Sequence, residues 1–185
     1  MLAVRKASTV AAFAALVATS LFGEGRARAV EQQWHVGADV GGSGLEVGNT
    51  MHVGVGFGLD ATYGLTDQFN LVAEVQTSRL VPGSDPDVPH SRPSGLTSGA
   101  VGATYVLDVL RWVPYGGILL GGDLLSGGAL PDAKGLATAQ VALGLDYQLD
   151  RTWSVGVAAR EHFYATSTYS SFTTLFFRVE YAWGW

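Results

Sequence analysis

From Thr173 to the end of the chain, apolar and polar positions alternate. Leu175, Phe177, Val179, Tyr181, Trp183 and Trp185 fall on one side, and Thr174, Phe176, Arg178, Glu180, Ala182 and Gly184 on the other. A period of two is that of a β-strand with two unlike faces. The pattern recurs upstream. Ala139, Val141, Leu143, Leu145, Tyr147 and Leu149 alternate with a line that carries Gln140, Asp146 and Gln148. Phe69, Leu71, Ala73 and Val75 alternate with Asn70, Glu74 and Gln76, and His52, Gly54, Gly56, Gly58, Asp60 and Thr62 form one line of another stretch. The predicted strands are Trp34–Val40, Met51–Tyr63, Phe69–Thr77, Gly99–Leu107, Val113–Gly121, Ala137–Leu149, Trp153–Phe163 and Phe172–Trp185. Val113–Gly121 is the irregular one, because Ile118 to Leu120 is apolar on both faces.

The connections predicted between these strands alternate in length. Gly64–Gln68, Asp108–Trp112 and Asp150–Thr152 are tight, whereas Gly41–Thr50, Ser78–Ser98, Gly122–Leu136 and Tyr164–Ser171 are longer and rich in Gly, Pro and Ser. This asymmetry predicts an all-β fold, a transmembrane antiparallel up-and-down β-barrel of about eight strands with the apolar line facing lipid and the polar line facing the lumen. In water a terminal Tyr-x-Trp-x-Trp edge would invite aggregation. All five Trp (Trp34, Trp112, Trp153, Trp183 and Trp185) fall at the short-turn end of the strand map, as expected for an interfacial aromatic girdle, here on the periplasmic side. Phe163, Tyr164, Tyr169 and Phe172 would mark the opposite rim. A soluble lipocalin-like barrel needs the reverse assignment, apolar line inside and charges outside, and the terminal strand argues against it.

Arg5 and Lys6 precede an apolar stretch from Thr9 to Phe22, and Ala27-Arg28-Ala29 follows. A positive start, a short apolar run and a small-x-small site predict a secretory signal peptide over residues 1–29, cleaved after Ala29, with the barrel spanning 30–185. The run is too short for a membrane-spanning helix, which needs roughly 20 apolar residues. Of 11 basic and 16 acidic residues, four basic and one acidic leave with the signal, so the formal net charge moves from −5 to −8. So acidic a chain is unsuited to nucleic acid and offers no polybasic patch to anionic lipid. With no Cys, it has neither a lipoprotein anchor site nor disulfide chemistry.

The chain resembles the small outer-membrane β-barrel family that includes the OmpA transmembrane domain, OmpX and OmpW. The resemblance rests on Phe177-x-x-x-Tyr181-x-Trp183-x-Trp185 and on the turn Tyr63-Gly64-Leu65-Thr66-Asp67-Gln68-Phe69. It implies that the barrel-insertion machinery reads the C-terminal strand, although family members usually end in Phe where this chain has Trp185. It also implies an outer-membrane location with both termini periplasmic, outer-membrane lipid as the main partner, a monomer, and no cofactor. It carries no peptidoglycan-anchoring function.

The inward lines bring Glu74, Asp146, Arg160, Arg178 and Glu180 into one lumen, and the order of the last strands puts Arg160 near Arg178 and Glu180. Such charges line a selectivity filter in a pore. In so narrow a barrel side chains fill the interior, so a polar plug is the expected reading. Gly54, Gly56 and Gly58 would hollow the lumen or, as expected here, let bulky neighbours pack. Arg160-Glu161-His162-Phe163-Tyr164 is the segment that suggests an enzyme, because lipid A deacylases, also small barrels, use a His and a Ser two residues later. That position holds Tyr164 and the nearest Ser is Ser167, so a Ser nucleophile would lack its base; His162 is expected at the rim beside lipid head groups. Asp85, Asp87 and His90 offer oxygen and imidazole ligands but are expected to be solvated in a loop stiffened by Pro82, Pro86, Pro89 and Pro93. The expected role is structural or surface-interacting, without catalysis, with a largely plugged lumen and outward loops, above all Ser78–Ser98. A narrow channel for small or apolar solutes is the second expectation and a lipid-modifying enzyme the third.

Overall fold

Alternation of this kind buries one face of each strand, and a sheet with one face buried along its whole length can close on itself. In the computed structural model, which describes residues 32–48, 50–81, 92–107, 111–165 and 168–184, it does so. The strands are β1 (Trp34–Val47), β2 (Thr50–Gly64), β3 (Phe69–Leu80), β4 (Gly95–Val106), β5 (Trp112–Ser126), β6 (Lys134–Gln148), β7 (Trp153–Tyr164) and β8 (Tyr169–Trp183). Each pairs antiparallel with its neighbour in chain order, and β8 returns to β1 to close the barrel. The segment 1–29 expected to be a signal peptide, Trp185, and Asp85, Asp87 and His90 lie outside the described residues.

Outward positions are the apolar ones. Val40, Val55, Leu71, Val101, Ile118, Leu120, Leu175 and Phe177 are all exposed, a surface that water would not tolerate at this size and that lipid accepts. The irregular segment of β5 resolves the same way, with Ile118 and Leu120 outward and Leu119 buried in the lumen.

The strand registers set the size of the barrel. From Trp153 the pairs run through Tyr181, Val36, Ala61, Ala73, Val101, Leu120 and Ala139 back to β7 at Phe163. One circuit thus shifts the register by ten residues, which with ordinary strand spacing and rise gives a tilt of about 40° and a backbone radius of about 8 Å. The same geometry puts Trp34, Trp112, Trp153 and Trp183 within about 3 Å of one level along the axis. Tyrosines and a phenylalanine complete the belt. Trp34 opposes Tyr63, Phe69 opposes Tyr105, Trp112 opposes Tyr147 and Trp153 opposes Tyr181, with ring centroids 4.8, 5.2, 4.8 and 4.9 Å apart. We call this end of the barrel the Trp end.

The far end departs from expectation. The predicted loop Gly41–Thr50 is mostly strand, since β1 runs to Val47 and pairs there with Thr50. Gly48, at φ 61°, takes the left-handed conformation that so tight a turn requires. The predicted loop Gly122–Leu136 likewise shrinks, because β5 continues to Ser126 and β6 begins at Lys134. Glycine runs here mark strand, not loop: Gly41, Gly54 and Gly121 sit where a Cβ would meet a neighbouring strand's backbone at 2.1–2.2 Å, so only glycine allows the approach. Of the far-end connections, the one between β3 and β4 is long.

At the Trp end the turn between β6 and β7 is built on Asp150, whose Oδ1 accepts the backbone N–H groups of Thr152 at 2.7 Å and Trp153 at 2.8 Å. These bonds hold its carboxyl below the usual range. With a depressed folded value, the stabilisation is complete above the ordinary carboxylate pKa and fades as pH falls through the depressed one. Asp150→Ala is therefore expected to lower the urea midpoint of the refolded barrel at pH 7, with the gap to wild type closing as pH falls through the depressed carboxyl range. A gap that persists unchanged in acid would refute the turn as its source.

Candidate functional site in the lumen

The inward faces of all eight strands meet in a space about 8 Å in radius at the backbone, which side chains nearly fill. Arg178 on β8 is the hub. Its Nη2 lies 2.7 Å from Asp60 Oδ2 and 2.5 Å from Glu180 Oε2. Its Nη1 lies 3.5 Å from Asp146 Oδ2 and donates to Tyr115 Oη at 3.0 Å. Arg160 on β7 is a second centre, with Nη2 2.9 Å from Asp39 Oδ2 and Nε 2.7 Å from Glu74 Oε2. Asp39 links the two, its Oδ1 standing 3.9 Å from Arg178 Nε. Nearer the Trp end, Glu180 Oε1 meets His35 Nδ1 at 2.9 Å and accepts from Ser154 Oγ at 3.4 Å.

All the expected lumen charges, Glu74, Asp146, Arg160, Arg178 and Glu180, face inward, but their partners differ from the expectation. Arg160 pairs with Asp39 and Glu74, not with Glu180. The reason is the register: Arg160 stands opposite Thr174, four residues along β8 from Arg178, so Arg160 reaches carboxylates on β1 and β3, whereas Arg178 reaches those on β2, β6 and its own strand. Asp39, Tyr115 and His35 were not expected in the network. The alternation that begins at Trp34 places His35 and Asp39 inward, so the signal for them was in the pattern. Asp60 belongs to the inward line of its strand but lay outside the expected set.

Above this network, away from the Trp end, sits a second polar layer. His162 is fully buried, which corrects its expected place at the rim beside lipid head groups: two residues beyond Arg160, it shares the inward face. Its Nδ1 lies 3.0 Å from Asp123 Oδ2 and its Nε2 2.7 Å from Gln76 Nε2. With the Nδ1 proton donated to Asp123, Nε2 accepts from the Gln76 amide. Tyr164 also donates to Asp123 Oδ2, and Gln140 donates to Ser98 at 3.3 Å. Asp123 falls in the predicted loop because the predicted strand ends at Gly121, five residues before β5 does at Ser126.

Beyond that layer the lumen becomes apolar. Leu45, Val47, Leu80, Leu96, Leu125, Tyr164, Tyr169 and Phe172 form a buried cluster with Leu130 and Leu136 packed against it. Tyr164, Tyr169 and Phe172 were expected on the outer rim with Phe163; only Phe163 points outward. The registers put Phe172 about 25 Å and Leu125 about 30 Å above the Trp level, at and beyond the top of an apolar band of about 25 Å. The barrel wall there surrounds an interior like that of a soluble protein.

Glycine makes room for bulk inside, as expected of the inward line in β2. The ring of Phe176 is buried against Gly56, where a Cβ would lie 2.8 Å from Phe176 Cζ, and against Gly41, where it would lie 2.9 Å from Cδ1. Gly56→Val is expected to destabilise the barrel by about 1–3 kcal/mol through overpacking. Pairing it with Phe176→Leu should return part of the loss, and a double variant worse than the sum of its singles would refute the contact as the cause.

Between the charge network and the Trp end lies a cavity of about 80 Å³, bordered by Asn70, Glu74, Asp60, Asp146, Arg178 and His35 among others. That is space for a handful of waters at roughly 10–15 Å³ each. No group of three or more His, Cys, Asp or Glu side chains is arranged to chelate a metal among the described residues.

No protein-family model matches the chain, and no curated protein matches it in sequence. Solved structures do. Neisserial surface protein A superposes with a TM-score of 0.65 at 15% identity over 82% of this chain and 99% of that one. The N-terminal β-barrel domain of Pseudomonas aeruginosa OprF gives 0.60 at 14% over 83% and 98%. Ail, the attachment invasion locus protein of Yersinia pestis, gives 0.58 at 13% over 83% and 99%. The chain thus has the fold of the small outer-membrane β-barrels.

Proposed function

We propose that this chain is an outer-membrane barrel whose lumen is closed and whose work is done at its surface, as a structural or adhesive envelope component and not as a pore or an enzyme. The observation that carries the reading is the pair of seals in series: a cross-lumen network centred on Arg178 and Arg160, then an apolar cap from Leu45 to Phe172. A solute would have to break both. The apolar wall and the ring of interfacial aromatics support residence in a membrane. By the asymmetry of such barrels, the Trp end and both termini are periplasmic, the long β3–β4 connection faces outward, and the C-terminal strand addresses the insertion machinery. The mature protein starts after Ala29 and acts as a monomer.

An enzymatic role finds little support in the lumen. The Asp123–His162 pair has the form of a base with its orienting carboxylate, but the other imidazole nitrogen meets Gln76 and not a hydroxyl nucleophile. Ail, one of the similar barrels, bears attachment and invasion in its name, which agrees with a surface role. Planar-bilayer recording tests the reading: purified protein is expected to give no stable openings, and reproducible single-channel steps would defeat it.

A further inference from the structure

Few charges stand on the outward wall. Glu161 is one, in the outward line of β7 with Phe163, and Thr173 Oγ1 donates to its Oε2 from β8. Arg79 on β3 is another, exposed and in line with Val75 and Thr77. None of the ion pairs among the described residues includes it. Its guanidinium leans toward β4 and β5: Nη1 lies 3.8 Å, and Ser126 Oγ 3.3 Å, from where a Cβ on Gly95 would stand. Two donors thus converge over a glycine. One row nearer the Trp end the hydroxyls of Thr77 and Thr97 face each other at 3.4 Å. The registers put Arg79 about 28 Å and Ser126 about 34 Å above the Trp level, beyond an apolar band of about 25 Å and so among head groups.

Directly below, Gly99 and Gly122 are paired across β4 and β5 and both are exposed. A Cβ on Gly99 would meet only Glu74 O at 4.0 Å, and one on Gly122 only Leu136 O at 3.5 Å. The wall itself does not require glycine here, in contrast to Gly41 and Gly121. The pair leaves a depression among outward Val75, Val101 and Leu120. We infer that this strip seats one phosphate-bearing lipid of the leaflet at the far end. Its phosphate lies against Arg79 and Ser126, and an acyl chain lies over Gly99 and Gly122. The unpaired guanidinium selects an anion, and its planar fork suits phosphate. A second copy fits less well: Glu161, the outward carboxylate it would offer, stands only about 20 Å above the Trp level. One guanidinium with hydroxyls does this without a polybasic patch. The inference rests on residence in the membrane and not on a closed lumen.

In maltoside micelles, dimyristoyl phosphatidic acid is expected to raise the thermal midpoint of the wild-type barrel to a plateau, as binding to the folded state alone requires. Native mass spectrometry should then show one lipid retained per barrel. Dimyristoylglycerol, with the same chains and no phosphate, and inorganic phosphate, with no chains, should each do neither. Arg79→Gln should raise the half-saturating concentration about tenfold. Gly122→Leu, which has room on the open wall, should do so with the charge intact. Arg151→Gln, in the β6–β7 turn at the Trp end, should change nothing. The proposal is overturned if dimyristoylglycerol matches phosphatidic acid, or if inorganic phosphate alone gives the whole effect. It is equally overturned if Arg151→Gln weakens binding as much as Arg79→Gln, or if a lipid-free dimer is the protected species. A bilayer recording leaves these readouts untouched, so the two readings fail separately.

Discussion

Replacing Arg178 with methionine is expected to destabilise the folded barrel by about 3–5 kcal/mol, the usual cost of removing one partner from a buried ion pair. Arg178 is the shared cation of Asp60, Asp146 and Glu180, and methionine fills much of the same space without serving any of them. The measurement is urea unfolding of the refolded protein, followed by the heat-dependent gel shift typical of small barrels. The size of the loss alone does not identify its cause, so a companion variant is needed. Arg178→Met combined with Asp60→Asn and Glu180→Gln removes the two nearest of the three stranded charges together with their partner. It should recover a large part of the lost stability, because neutral amides need hydrogen bonds but no counter-ion. A triple variant no more stable than Arg178→Met would show that packing, not charge, makes Arg178 necessary.

Phe172→Ala is the second large effect, at about 3–5 kcal/mol for a fully buried aromatic ring. Phe172 has no exposed surface, belongs to the cap, and sets its ring edge-on to His162 at 5.0 Å and 79°. Truncation leaves a hole that the rigid barrel wall cannot collapse to fill. Phe172→Leu should cost far less, since it keeps most of the volume. The informative measurement couples stability with conductance. If the seals act in series, Phe172→Ala loses stability yet stays electrically silent, because the Arg178 network still blocks the lumen below. Openings in Phe172→Ala alone would show that the network does not seal, and an unchanged urea midpoint would show that the cap carries no packing energy.

The fold was largely legible because a membrane barrel writes itself in the simplest periodicity a chain can carry. Leu175, Phe177, Val179, Tyr181 and Trp183 stand outward and Thr174, Phe176 and Arg178 inward, as the alternation predicted. Turns at the Trp end were legible too, since Gly64, Asp67 and Asp150 carry turn chemistry. The far ends of the strands were not. Gly41, Gly42 and Gly122 look like loop by composition but lie in paired strands, and at Gly41 the close approach of β8 selects glycine for a tertiary reason invisible in the local sequence. Tyr164, Tyr169 and Phe172 misled in a related way. Aromatic residues near a strand end suggest an interface, yet here they turn inward because the barrel outlasts the apolar band. In the lumen, inward orientation could be read from alternation, but partner choice could not. Whether Arg160 meets Glu180 or Asp39 depends on the stagger accumulated around the whole circuit.

The opposed ring pairs have a consequence for the mechanics of the Trp end. Walking around that rim, the junctions alternate in kind. β2–β3, β4–β5 and β6–β7 are joined by the chain itself, whereas β1–β2, β3–β4, β5–β6 and β7–β8 are free ends clasped by Trp34–Tyr63, Phe69–Tyr105, Trp112–Tyr147 and Trp153–Tyr181. At the closing seam Trp34 stands opposite Trp183, and Trp183 stacks on Tyr181 at 5.9 Å. No strand end on this rim is left to fray, so its amides should exchange with solvent as slowly as those of mid-strand. Opening of the wall must then begin at the other rim, where the chain relies on packed side chains instead of rings at the lipid boundary.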